Sequence, residues 1–133
     1  MSFIKLYLTS LPVFVVIDAL WLGIVAKNFY QKHIGHILAD KFSALPAIAF
    51  YLLFLAGLVF FVISPSMEKK SWTYAVLAGA FFGLVTYATY DLTNMATVKN
   101  WPLIVTIVDL FWGMTLGGLV SLLTYLVNTK LLA

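Results

Sequence analysis

Hydrophobic positions along this chain form four long runs, separated by three shorter stretches where the polar residues gather. The first run extends from about Phe3 to Lys27, the second from Pro46 to Ser64, the third from Trp72 to Thr97 and the fourth from Pro102 to Val127. Each is close to the ~20 apolar residues that a helix needs to cross the hydrocarbon of a bilayer. Pro12 is expected to kink the first helix, Pro46 suits the first turn of the second, and Pro65 is expected to stop it. Asn28 to Ser43 is too polar to span. Its Phe29, Ile34, Ile37, Leu38 and Phe42 nevertheless recur at near-helical spacing, which predicts a segment lying flat on the membrane surface. The fold class that follows is all-α: a polytopic membrane protein with four transmembrane helices in one bundle, a single domain over residues 1–133.

The third run breaks its own pattern in its second half. Thr86 to Trp101 reads TYATYDLTNMATVKNW and carries Tyr87, Tyr90, Asp91, Thr93, Asn94 and Thr97 before any charged loop residue. A carboxylate at membrane depth costs at least a few kcal/mol unless it faces partners or water, so Asp91 marks a candidate site. Continuing upstream by helical steps, its face holds Gly79 and Gly83, a G-x-x-x-G pair that lets a neighbouring helix approach closely. The fourth run has a matching face with Thr106, Asp109, Gly113 and Gly117. Asp18 lies nine residues before Lys27, Asp91 eight before Lys99 and Asp109 seven after Pro102. At the helical rise, this puts all three roughly 10 to 14 Å below one membrane face. Three anions at one depth repel one another, so they are expected to share a proton or be matched by a bound cation.

Composition narrows the class further. The 133 residues are 63% hydrophobic and 10% charged, with a mean hydropathy of +1.03, which leaves no room for a soluble domain. No small-residue cleavage site follows the first run, which is therefore read as an uncleaved helix. The net charge of +3 comes from eight lysines and no arginine, scattered near helix ends as interfacial anchors rather than as a nucleic-acid patch. Lysines divide four against four between the two sides, so orientation stays open. Without cysteine there is neither a disulfide framework nor a thiol nucleophile.

Several chemistries suit three carboxylates that converge within a membrane. They could line a proton or cation path, receive the polar head of an amphiphile, or act as acid and base on a lipid or isoprenoid, with Asp91 and Asp109 the catalytic candidates. They could also hydrogen-bond the helices together in a non-catalytic subunit or scaffold. Tyr87, Tyr90, Asn94 and Thr106 would orient a guest. Asp18-x-x-Trp21 and Asp109-x-x-Trp112 echo each other, and a tryptophan one turn from each aspartate can wall off the carboxylate. His33 and His36, one turn apart, make a weak metal-ligand pair, and no cofactor motif is present. The partners expected are membrane lipids and a small cation or amphiphilic ligand. A homodimer would form through Gly79/Gly83 or Gly113/Gly117.

The boxes D-A-L-W-L-G at Asp18 to Gly23, Y-D-L-T-N at Tyr90 to Asn94 and D-L-F-W-G at Asp109 to Gly113, with Trp101 between the last two, carry a resemblance across essentially the whole chain. The sequence resembles a family of small bacterial membrane proteins classed as a domain of unknown function. That resemblance implies a four-helix protein of the bacterial inner membrane and marks Asp18, Trp21, Asp91, Asn94, Asp109 and Trp112 as motif positions. It implies no activity. The residues themselves favour a small transporter or binding protein with an acidic pocket.

Overall fold

A computed structural model describes residues 2–133. Among these residues four helices are long and apolar enough to cross a membrane: α1 (Phe3–Ile37), α2 (Ala44–Lys69), α3 (Trp72–Thr97) and α4 (Leu103–Leu131). No strand occurs among the described residues. Short links make successive helices antiparallel, and each link has a local cause. Ser2 starts α1 by accepting the Lys5 N–H, and Ser71 starts α3 by accepting the Tyr74 N–H, so each satisfies a donor that the first helical turn leaves free. Lys70 and Asn100 adopt left-handed backbone and turn the chain after α2 and α3.

Two boundaries differ from the sequence expectation. Lys27 does not end α1. The helix continues through Lys27–Ile34 and finishes in a 3-10 turn, Gly35–Ile37. At 35 residues, α1 is about 52 Å long, well beyond the ~30 Å hydrocarbon thickness. Pro65 likewise fails to stop α2. Val59–Ile63 winds as a π-turn in which the Ser64 N–H reaches the Val59 carbonyl, five residues back. This wider turn relieves the carbonyls that a proline ring would strike in a regular helix, so α2 runs on to Lys69.

The helices are joined most tightly between α3 and α4. Gly79 meets Gly117 and Gly83 meets Gly113, backbone against backbone, leaving no space for a methyl group at any of the four. The two glycine faces thus pack against each other within the chain. Leu6 and Phe14 of α1, Phe54, Leu58 and Val62 of α2, and Leu116 and Val120 of α4 form the apolar core. At the end away from the aspartates, the buried Asn128 amide donates to Thr9 Oγ1 at 2.9 Å and ties α4 to α1. The buried side chains that α2 gives this core begin at Phe54. The first ten residues of that helix, Ala44 to Leu53, include no buried side chain, so this end of α2 stands away from the bundle.

Candidate functional site

The glycine contacts set the level of the site. With α3 and α4 in backbone contact at Gly83 and Gly113, Asp91 lies two turns beyond the contact on α3 and Asp109 one turn beyond it on α4, in the same direction. Asp18 of α1 joins them. The three carboxylates line one chamber of about 190 Å³, together with Trp21, Tyr87, Tyr90 and Trp112. The two indoles stack face to face across the α1–α4 junction, with centroids 4.4 Å apart and planes at 8°. Asp91 is completely inaccessible, and Asp18 and Asp109 are each 6% exposed. No lysine or histidine lines the chamber.

Two of the nine residues proposed as ligand-binding lie outside this lining. Thr106 sits beside Asp91, with its hydroxyl accepting the Trp101 indole N–H at 3.0 Å. Asn94 is one turn further along α3 and closes that helix through its carbonyl, which accepts the Val98 N–H. His33 packs at a tilt against Phe29 and His36 is exposed; among the described residues no cluster of His, Asp and Glu could hold a metal ion.

Two tyrosines complete the chamber, neither of them assigned to it by the sequence pattern. Tyr30 donates its hydroxyl to Asp109 Oδ1. Tyr51, the one polar side chain of α2 between Ala44 and Ile63, lies beside Asp18. Tyr30 is misplaced by simple helical counting. At about 100° per residue it should lie about 120° around the helix from Asp18, but Leu22–Ala26 winds as a π-turn. One residue absorbed in that wider turn returns Tyr30 to within about 20° of the Asp18 face. Aspartates 18 and 109 therefore each have a tyrosine beside them, whereas Asp91 has none. The Asp109 carboxyl and Thr106 lie next to it, yet neither Asp91 oxygen reaches hydrogen-bonding geometry with any partner.

A second, larger cavity of about 910 Å³ adjoins the chamber. It is the wedge left where the first turns of α2 stand away from α3, and Tyr51, Tyr87 and Tyr90 border both spaces. Pro46, Ala47 and Phe50 form one wall, and Thr86, Thr89 and Thr93 contribute to the other. These threonines are less polar than their letters suggest. Thr86 donates to the Phe82 carbonyl at 3.0 Å, Thr89 to that of Val85 at 2.6 Å and Thr93 to that of Tyr90 at 3.0 Å. With their hydroxyls bonded back to their own helix, methyl groups remain as what they offer a neighbour.

Large apolar side chains point outward on all four helices, among them Ile24, Leu53, Leu77 and Phe111, whereas the carboxylates are turned inward. A water-soluble protein does not present so continuous an apolar exterior. The fold therefore defines a multi-pass membrane protein. More particularly, the chain belongs to the family described as "Predicted membrane protein (DUF2177)", whose model matches residues 3–126. No curated protein and no solved structure matches it.

Proposed function

We propose that this protein binds a cationic, hydrogen-donating group inside the membrane, with Asp91 as the principal acceptor. One observation carries the reading: a carboxyl group with no solvent exposure has neither oxygen paired. A buried polar group without a partner costs about 1–3 kcal/mol, and more when charged, so a retained one calls for a function. A scaffold held together by its aspartates would have closed Asp91 with an internal donor. The chamber supplies three carboxylates and no cationic side chain, so its complement is a small ammonium group. Asp18 and Asp109, each beside a tyrosine, share the negative charge around the guest. The stacked Trp21 and Trp112 form a wall. The setting we infer, from the family resemblance, is a bacterial inner membrane.

The test uses protein reconstituted in lipid nanodiscs and methylammonium as the probe, with tryptophan fluorescence reporting occupancy through the Trp21–Trp112 stack. Saturable quenching or enhancement is expected in the wild type, and its loss in Asp91→Asn. An Asp91→Asn protein that binds methylammonium unchanged would overturn the assignment. Acid–base catalysis on a lipid is a second reading, favoured by the hydroxyl–carboxyl contact of Tyr30 and Asp109, which could pass a proton. A new lipid species appearing with wild-type protein but not with Tyr30→Phe would establish it.

A further inference from the structure

Resting on the binding role of Asp91, we infer that the wedge between α2 and α3 holds the hydrocarbon tail of the ligand, making that ligand a single-chain amine amphiphile. Its ammonium head would enter the carboxylate chamber past Tyr51, Tyr87 and Tyr90, the residues that border both cavities. The argument has three parts. At about 910 Å³ the wedge falls within the usual range of small-molecule sites, whereas the chamber alone, at about 190 Å³, accepts only a head group. The chemistry of the wedge is hydrocarbon-like. Ala47 and Phe50 face threonines whose hydroxyls are satisfied within α3, so a polar occupant would find few free hydrogen-bonding groups along that wall. Beyond the three tyrosines that the wedge shares with the chamber stand the unpaired carboxyl of Asp91 and two further aspartates, and these supply the charge complementarity that selects a cation over a neutral or acidic head.

The access route fits a ligand drawn from the bilayer. The α2 end of the wedge contains no buried side chain, and Tyr90, between wedge and chamber, is 59% exposed. An amphiphile could therefore enter sideways, tail alongside Ala47 and head leading toward Asp91, without any separation of the tightly packed α3–α4 pair.

Photo-cross-linking tests this in nanodiscs, with dodecylamine carrying a diazirine on its chain and mass spectrometry mapping the labelled residues. Label is expected on residues 46–51 and 86–93, competed by unlabelled dodecylammonium and far less by dodecanol or dodecanoate. Ala47→Trp, which fills the wedge on a stretch of α2 without buried side chains, should abolish this label while leaving methylammonium binding intact. Asp91→Asn should abolish both. Label spread evenly over outward residues such as Leu53 and Phe60, unaffected by Ala47→Trp, would mean that bulk lipid fills the wedge. That result would overturn the amphiphile assignment while Asp91-dependent methylammonium binding still stood. Competition by dodecanol equal to that by dodecylammonium would overturn the choice of an amine head. Loss of Asp91 dependence for methylammonium itself would instead remove the head-group site on which the inference rests.

Discussion

At the scale of single residues, the site is organised by which carboxyl has a tyrosine beside it and which has none. Tyr30 reaches Asp109 from a part of α1 that lies twelve positions beyond Asp18, and the bond ties α1 to α4 at the chamber. Tyr30→Phe removes the hydroxyl and keeps the ring, so it reads the hydrogen bond alone. A bond to a carboxyl this buried is worth about 1–3 kcal/mol, and the variant should unfold at measurably lower temperature in a thermal melt than the wild type. An unchanged melt would mean that Asp109 is satisfied some other way. Asp18, Asp91 and Asp109 were legible in the sequence because a charged residue in an apolar run has no ordinary explanation. Tyr30 and Tyr51 were not, since a tyrosine near a helix end is equally at home in the interfacial layer. The threonines misled in the opposite sense. Thr86, Thr93 and Thr97 make the third run look polar, but each hydroxyl bonds to a carbonyl of its own helix.

At the scale of elements, two departures from regular winding decide what meets what. The π-turn at Leu22–Ala26 re-aims the last third of α1 over the chamber, and the one at Val59–Ile63 lets α2 pass Pro65. Neither can be seen in a run where almost every residue is apolar, because the hydrophobic period that would reveal a register shift is missing. The glycine contacts were legible as packing devices, but not which helix each would face. Gly83→Ala tests their role. A methyl there would collide with the Gly113 carbonyl, and the backbone on both sides leaves nothing flexible to move aside. Destabilisation of about 1–3 kcal/mol or more is expected, seen as a lowered melting temperature and reduced yield of folded protein. Gly23→Ala serves as the control, since nothing lies within 4 Å of the added carbon and no loss should follow. Equal effects at the two positions would contradict the intimate α3–α4 packing described above.

At the scale of the whole molecule, four antiparallel spans put the loops after α1 and α3 on one side of the membrane, and the loop after α2 and the end of α4 on the other. The chain has no cysteine, so single cysteines can be placed without background. Ala39→Cys and Asn100→Cys should react with an impermeant maleimide from the same face of sealed vesicles, and Ser71→Cys and Lys130→Cys from the opposite face. All four reacting from one face would break the topology. This arrangement was the most legible feature of the sequence, because length and hydropathy alone dictate it. The wedge was the least legible, because it depends on where α2 separates from α3. The central claim is that the unpaired carboxyl of Asp91 receives a cationic group, and infrared difference spectroscopy reads this most directly. Adding methylammonium to nanodisc-reconstituted protein should change the carboxyl stretching region, and the change should vanish in Asp91→Asn while surviving in Asp40→Asn, a carboxylate on the exposed loop after α1. A difference spectrum identical in wild type and Asp91→Asn would contradict the account.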